Sequence, residues 1–228
     1  MNPTLSIILP TYNESQNIIK IINTIHKVCK NISHEIIVVD DASPDGTYEK
    51  IKKFPSVRSF LHPGTRGLGL SILYGIKNSR GHIILGMDAD GNHDPHVIPH
   101  LLSSLQKADL VVASRFILGG GMSDTKRFWA SFLFNNMLQR VFGFPITDNT
   151  SGIYAIHKIK LMSLGLADIY YGYGEYHLRL VWKAKKAGLT ITEVPVYYGK
   201  RLGGESKSSL LVMIPTYLKT ALALRFTL

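Results

Sequence analysis

A chain of 228 residues suits one α/β domain with a single core, and its 45% apolar and 18% charged residues exclude a disordered protein. Lys and Arg outnumber Asp and Glu by 26 to 16, so the net charge of +10 favours a negatively charged partner, whether nucleic acid, an anionic membrane surface or a phosphate-bearing substrate. The single cysteine, Cys29, excludes an internal disulfide and favours a cytosolic setting.

Strand and helix patterns alternate through the first half of the chain. Short apolar runs predict strands at 5–9, 36–39, 57–61, 82–87 and 109–113. Helical patterns fall between them at 17–30, 47–53, 67–79 and from residue 95, with Asn13 as the expected cap of the first helix. This alternation is typical of a mostly parallel, doubly wound sheet flanked by helices.

The second half has a different texture, with a glycine run at 119–121 before the next predicted elements. Helices are expected at 126–142 and 173–186, and strands at 150–156 and 191–196. The segment 210–228 contains Pro215, Lys219 and Arg225, and we predict an amphipathic helix there. That helix either packs on the domain or lies on a membrane, and no stretch has the roughly 18 uninterrupted apolar residues of a membrane span.

Two acidic clusters follow predicted buried strands, Asp40-Asp41 and Asp88-x-Asp90. Ligands of parallel sheets bind beyond the carboxyl ends of the strands, so both clusters are expected in one crevice. Two carboxylates one residue apart, with Asn92 as a third oxygen, suit Mg²⁺ or Mn²⁺ bridging a nucleotide diphosphate. Exposed loop acids and a turn-forming aspartate would give the same patterns, and both alternatives stay open.

Histidines and basic residues supply weaker signals. His93, His96 and His100 lie close together, but without a third ligand we predict surface histidines rather than a zinc pair.

The basic residues near Gly- and Ser-rich loops suit phosphate recognition, although each alone is also compatible with a solvated surface charge. They are Arg66, Arg115, Arg127, Arg201 and Lys207.

These segments together resemble glycosyltransferase family 2, and within it the dolichyl-phosphate mannose synthase group. The resemblance covers nearly the whole chain, and its specificity lies in the order of the motifs. The matching motifs are Pro10-Thr11-Tyr12-Asn13-Glu14, Val38-Val39-Asp40-Asp41, Ser43-Pro44-Asp45-Gly46-Thr47, Arg66-Gly67-Leu68-Gly69, Asp88-Ala89-Asp90, Ser114-Arg115, Thr150-Ser151-Gly152, Glu193-Val194-Pro195 and Arg201-x-Gly203-x-x-Ser206-Lys207.

The resemblance implies a single-domain GT-A (Rossmann-like) fold and a metal-dependent glycosyltransferase. Residues 1–115 would form the nucleotide-sugar-binding half, 116–207 the acceptor-binding half and 208–228 the C-terminal helix. The implied nucleotide-sugar contacts are Pro10, Tyr12, Glu14, Val39, Asp40, Asp41, Arg66, Asp88 and Ala89. Asp88, Asp90 and Asn92 would hold the metal. Asp90, Arg115 and Arg201 would be catalytic, and Arg127, Arg201 and Lys207 would contact the acceptor phosphate.

One departure from the wider family bears on the acceptor. Many members that act on hydroxyls have a Glu-Asp pair near a helix that reads GED-x-D-x-x-LR, and here Tyr176 stands where the general base would be. A lipid phosphate has a last pKa near about 6, so it arrives ionised and needs no base. Glu175 and His177 remain as substitutes, which keeps a hydroxyl acceptor open.

The predicted activity is therefore inverting transfer of a hexose from GDP-mannose or a UDP-sugar to a polyprenyl or dolichyl phosphate. The protein would be cytoplasmic and peripheral at the inner face of a membrane, with a membrane-anchoring segment or subunit as an open option. The alternatives are transfer to a saccharide hydroxyl in surface polysaccharide synthesis and a non-catalytic nucleotide-binding subunit. No nucleic-acid recognition motif is present, and we expect no nucleic-acid partner.

Overall fold

The computed structural model describes residues 3–62, 64–200 and 210–226. The strands within those ranges are β1 Leu5–Thr11, β2 His34–Asp40, β3 Val57–Leu61, β4 Ile83–Gly86, β5 Leu110–Ser114, β6 Gly121–Met122, β7 Tyr154–His157, β8 Ile191–Pro195 and β9 Tyr197–Tyr198. The α-helices are α1 Ile18–Val28, α2 Thr47–Ile51, α3 Leu68–Asn78, α4 Ile98–Ser104, α5 Thr125–Phe142, α6 Lys158–Ser163, α7 Tyr176–Lys186 and α8 Leu210–Phe226.

Seven of the described strands form one sheet in the order β3-β2-β1-β4-β7-β5-β8. All its neighbours pair in parallel except β7, which is antiparallel to both β4 and β5. Strands β6 and β9 form a separate parallel pair. The predicted mostly parallel α/β sheet is confirmed, and β7 is the one strand that runs against it.

Alternate residues of the central strands supply two cores, one on each face of the sheet. Ile7 and Leu9 of β1 pack with Ile25 of α1, whereas Ile8 between them packs with Ile76 of α3. Successive side chains of a strand point to opposite faces, so a strand covered by helices on both sides must be apolar throughout. Each fully buried aliphatic side chain contributes about 1.5–3 kcal/mol to folding.

The predicted helix cap at Asn13 is wrong. Asn13 adopts a left-handed backbone conformation with φ 57°, and α1 begins only after Asn17. The intervening turn is closed by hydrogen bonds from the backbone N–H groups of Asn17 and Ile18 to the carbonyl oxygen of Glu14. This extra turn keeps Glu14 at the end of the sheet instead of placing it inside the helix.

The C-terminal helix α8 packs against α5 and α7. Its Tyr217 and Ala221, one turn apart, are buried, while Leu222 and Phe226 are exposed. Apolar side chains therefore occupy both the packed and the exposed face, and the polarity is less segregated than an amphipathic helix would require. Among the described helices, none is long and apolar enough to cross a membrane.

Candidate active site

A cleft of about 520 Å³ opens at the carboxyl ends of β1, β2, β4 and β5. The loops that follow these four strands meet there because the carboxyl ends of parallel strands lie at the same edge of the sheet. Many of the residues that the sequence predicted for the site line this cleft. They are Pro10, Tyr12, Glu14, Asp41, Arg66, Asp88, Ala89, Asp90, Asn92, Arg115 and Arg127.

One wall of the cleft combines a carboxylate with a stacked cation. The Asp41 Oδ2 atom accepts a hydrogen bond of 2.9 Å from the backbone N–H of Gly67, and its Oδ1 lies 3.3 Å from His62 Nδ1. The Arg66 guanidinium lies 4.1 Å from the centroid of the Tyr12 ring. A flat π surface beside a carboxylate complements a nucleobase and the N–H and O–H donors of a nucleoside.

Two residues predicted to contact the nucleotide sugar lie outside the cleft. The Val39 side chain is fully buried in the core between the sheet and α3. The Asp40 carboxylate is also fully buried and accepts hydrogen bonds from Thr11 Oγ1 at 2.9 Å and from Ser43 Oγ at 2.6 Å. Neither side chain lines the cleft, and Asp40 instead closes the turn that presents Asp41.

The acidic loop after β4 is held from within. The Asp88 backbone N–H donates to His93 Nδ1 at 3.0 Å, and the Asp90 carboxylate accepts from both the backbone N–H and the Nδ2 of Asn92 at 3.0 Å. His93 is only 4% exposed, and its ring packs at 4.6 Å on that of Tyr198. The predicted surface position of His93 is therefore wrong, since this imidazole supports the loop.

The donors of this loop fit a divalent cation that also binds a diphosphate. Asp88 and Asp90 offer carboxylate oxygens, which Mg²⁺ and Mn²⁺ prefer, and the Asp88 side chain is 37% exposed. No group of three or more His, Cys, Asp and Glu side chains suited to a metal exists among the described residues. Mg²⁺ is commonly held by one or two carboxylates plus substrate phosphates and water, so two carboxylates are sufficient.

His96 and His100, the other two members of the histidine cluster, are exposed, as predicted. The three histidines therefore do not share one environment.

Arg115 is fixed by a buried ion pair. Its Nε and Nη2 atoms bind the two oxygens of Asp148 at 2.7 and 2.6 Å, and Nη2 also donates to Thr150 Oγ1. The backbone N–H of Asp148 donates in turn to Glu193 of β8. Burial disfavours the charge of Arg115, but the Asp148 carboxylate outweighs that cost and keeps the pKa of Arg115 above its usual value. Arg115 is therefore a rigid, permanently positive group on the cleft wall.

A second, smaller cavity of about 70 Å³ lies between α5 and α8. It shares Arg115, Arg127 and Tyr217 with the main cleft, and it continues past Ser131 to the apolar side chain of Phe134. Ser131 lies one helical turn after Arg127 on α5, so the two side chains project from one side of that helix. The arrangement offers a positive, hydrogen-bonding end and an apolar end.

The two substitutes for a general base, Glu175 and His177, do not line the cleft. The Glu175 Oε1 atom accepts from the backbone N–H of Tyr173. His177 is 1% exposed and donates from Nδ1 to the Asn149 carbonyl oxygen, and burial lowers its pKa. Tyr176 itself reaches the cleft wall.

Other residues of the site were missed at the level of sequence, or given no role. They are Asp148, Thr150, Ser151, Gly152, Tyr198, Met213 and Tyr217. Asp148 lies two residues before the Thr150-Ser151-Gly152 motif, which was a usable signal, whereas nothing in the spacing of Tyr217 pointed to the cleft. Arg201 and Lys207 lie outside the described residues, so their roles stay predictions.

Comparison with known proteins agrees with this geometry. Residues 6–165 match the Glycosyl transferase family 2 domain. The chain is 31% identical to dolichol-phosphate mannosyltransferase of Pyrococcus furiosus, over 89% of this chain and 58% of the relative. It is 35% identical to undecaprenyl-phosphate mannosyltransferase of Micrococcus luteus, over 89% and 86% of the two chains. It is 32% identical to polyprenol monophosphomannose synthase of Mycolicibacterium smegmatis, over 89% and 80%. The chain thus spans well under two thirds of the length of the Pyrococcus relative.

Solved structures with the same architecture include glucosyl-3-phosphoglycerate synthase from Mycobacterium tuberculosis. Its complex with Mn²⁺, UDP and phosphoglyceric acid superposes with a TM-score of 0.76 at 22% identity, over 98% of this chain and 79% of that one. Its complex with Mg²⁺ and UDP gives a TM-score of 0.74. The sheet and the strand-end cleft are those of the GT-A fold of glycosyltransferases. The chain belongs to glycosyl transferase family 2.

Proposed function

We propose that this protein is an inverting glycosyltransferase that moves a hexose from a nucleotide sugar to a polyprenyl phosphate. One observation carries the proposal: the Asp88-Asp90 pair and the Arg115-Arg127 pair line one cleft, and that cleft continues into a cavity with an apolar end. The names of three relatives, all mannosyltransferases or mannose synthases acting on polyprenols, support mannose as the sugar and a polyprenyl phosphate as the acceptor.

The donor half would bind the nucleotide sugar. Asp41 and the Tyr12–Arg66 stack suit the nucleoside, and the acidic loop suits the diphosphate. Asp88 and Asp90, with Asn92, would hold Mg²⁺ or Mn²⁺, which neutralises charge on a departing diphosphate when bound.

The acceptor phosphate would bind where the cleft meets the cavity between α5 and α8. Arg115 is held at that junction by Asp148, and Arg127 and Ser131 extend the site along α5. Guanidinium groups suit phosphate because they offer paired N–H donors. Arg201 and Lys207, outside the described residues, keep their predicted role as further phosphate contacts.

The chemistry would be an in-line displacement at the anomeric carbon. A lipid phosphate oxygen forms the new C–O bond as the bond to the diphosphate breaks, which inverts the configuration and requires no proton transfer. The positions of Glu175 and His177 support this, because neither lines the cleft where it would deprotonate a hydroxyl.

A peripheral position at the cytoplasmic face of a membrane would bring the enzyme to its lipid. On α5, Trp129 and Leu133 are 55% and 65% exposed one turn apart, and on the neighbouring α8, Leu222 and Phe226 are exposed in the same relation. Exposed Trp and Leu beside basic residues suit the headgroup region of a bilayer, and the charge of +10 suits anionic lipids.

The decisive experiment is transfer from a panel of radiolabelled GDP- and UDP-sugars to a short polyprenyl phosphate, with Mn²⁺ or with EDTA. We expect a lipid-phosphate sugar from one donor, formed only with the metal. Transfer to a saccharide hydroxyl instead would support the alternative acceptor. If the protein neither transfers nor hydrolyses any of the donors, the remaining explanation is a non-catalytic nucleotide-binding subunit.

Asp90→Ala tests the metal assignment within that assay. The variant should lose at least about 100-fold in activity, since removing a group that stabilises developing charge typically costs that much. Asp94→Ala is the matched control, because its carboxylate is exposed four residues away and pairs with His96. A fully active Asp90→Ala enzyme would remove Asp90 from the metal site.

A further inference from the structure

Tyr217 and, one turn before it, Met213 extend from the C-terminal helix α8 into the active site. Tyr217 is 5% exposed, yet it lines both the nucleotide-side cleft and the cavity between α5 and α8. A methyl group at Gly174 would overlap its hydroxyl oxygen, so this oxygen lies directly over the backbone of the loop before α7. The tyrosine therefore stands at the point where the two cavities join.

No hydrogen bond of the Tyr217 hydroxyl is found among the described residues, and this oxygen is not one of their fully buried unsatisfied atoms. Because Tyr217 lines the cleft, its hydroxyl is available to a ligand there. Burial raises the pKa of this phenol, with the Glu175 carboxylate acting in the same direction, so the group is a neutral O–H donor. Asp88 of the acidic loop and Arg115 of the basic wall line the same cleft as Tyr217.

We propose that Tyr217 is a positioning residue that donates a hydrogen bond to the acceptor phosphate at this junction. The inference rests on the proposed function, because the acceptor has to be a phosphate. A phosphate oxygen held by Arg115 and Arg127 still has free lone pairs, and a neutral O–H donor satisfies one without adding charge beside the diphosphate.

The ring of Tyr217 has a second effect on the same step. It packs edge-on against Phe134 of α5 with 6.2 Å between ring centroids, so the ring forms part of the wall where the cleft meets the cavity. Water competes with the acceptor phosphate for the anomeric carbon, and a wall that leaves less room for water beside the phosphate disfavours that hydrolysis. The helix α8 thus contributes to the active site instead of only covering the domain.

The test compares Tyr217→Phe with wild type in the full chain, using the donor and a short polyprenyl phosphate. Tyr217→Phe keeps the ring and removes only the donor, so we expect the KM for the acceptor to rise about 10-fold to 100-fold, as for a hydrogen bond to a charged group. The KM for the nucleotide sugar should stay within about twofold, because the donor half is untouched.

Two further variants serve as a second perturbation of the Tyr217 hydroxyl and as a control. Gly174→Ala displaces the intact phenol and should raise the acceptor KM in the same way, and Tyr197→Phe removes an exposed hydroxyl and should change nothing. Near-wild-type acceptor KM values for both Tyr217→Phe and Gly174→Ala would overturn the inference while leaving the proposed function intact. A wild-type enzyme that never uses a polyprenyl phosphate would overturn both.

Discussion

Arg115 depends on a single carboxylate for its place in the cleft. It is 5% exposed and Asp148 is fully buried, and the pair is bidentate. A buried ion pair adds little compared with apolar residues of the same size, but removing one partner leaves an uncompensated charge. Asp148 therefore affects both the position of Arg115 in the cleft and the stability of the fold.

We expect Asp148→Ala to lower the free energy of unfolding by about 3–5 kcal/mol, because the guanidinium of Arg115 would stay buried without its partner. Urea denaturation at neutral pH measures this. Asp168→Ala is the control, since Asp168 pairs with Lys183 at the surface and its loss should have little effect. Equal stability of Asp148→Ala and wild type would show that water or another residue replaces the carboxylate.

His177 gives the stability a predictable pH dependence. Burial lowers its pKa in the folded protein, whereas the unfolded chain has a pKa near about 6.5. The contribution of neutral His177 to the free energy of unfolding is complete above about pH 6.5. It is lost as the pH falls toward the lower folded pKa, because only the unfolded state takes up the proton in that range.

We therefore expect wild type to lose up to about 1.4 kcal/mol of stability per pH unit below pH 6.5 through this one residue. His177→Gln should flatten that part of the curve of unfolding free energy against pH, and His100→Gln, at an exposed position, should not. An unchanged slope in His177→Gln would mean that another group causes the acid sensitivity.

At the scale of elements, the start of α3 joins the two halves of the cleft. The Gly69 backbone N–H donates to the Gly172 carbonyl oxygen at 3.1 Å, and a Cβ atom at Gly69 would lie 2.6 Å from the backbone nitrogen of Tyr171. Only glycine allows the helix and the loop before α7 to approach this closely. The donor wall at Gly67 and the loop with Gly174 are held together by this contact.

Gly69→Ala should lower the free energy of unfolding by about 1–3 kcal/mol, because a backbone atom cannot move aside as a side chain can. It should also raise the KM for the nucleotide sugar, since the wall moves with the helix. Gly199→Ala is a matched control with open space around its Cβ position. Thermal unfolding and donor kinetics measure both effects, and a stable, fully active Gly69→Ala would contradict the packing argument.

At the scale of the whole molecule, charge and exposed apolar side chains act together. The net charge of +10 would draw the protein to anionic lipid, and Trp129 and Leu133 on α5 would insert at the headgroups. We expect the protein to sediment with vesicles that contain anionic lipid, and we expect a smaller bound fraction at high salt. The bound fraction should be smaller still for the double variant Trp129→Ser/Leu133→Ser.

The control for vesicle binding is Ile159→Ser, which removes an apolar side chain on α6 that is more exposed, at 79%, than Trp129 or Leu133. It should bind vesicles like wild type. Equal vesicle binding by the double variant on α5 would exclude this helix as the membrane contact.

The sequence by itself determined the order of elements and the edge of the sheet that carries the cleft. Apolar runs and helical periodicity are local, and parallel strands must all present their carboxyl ends on one side. The predicted strand ends at Asp41, Asp88 and Arg115 therefore meet in the structure as expected. The motifs at those strand ends were sufficient to identify the family.

The tertiary structure decided which of the neighbouring polar groups face a ligand. Asp40 and Asp41 look alike in sequence, but only the packing of Thr11 and Ser43 turns Asp40 inward. The roles of Asp148 and Tyr217 depend on contacts with residues far away in the chain, and one-dimensional spacing does not encode such contacts. Local pattern fixes periodicity, whereas burial and hydrogen-bond partners arise only when distant segments meet.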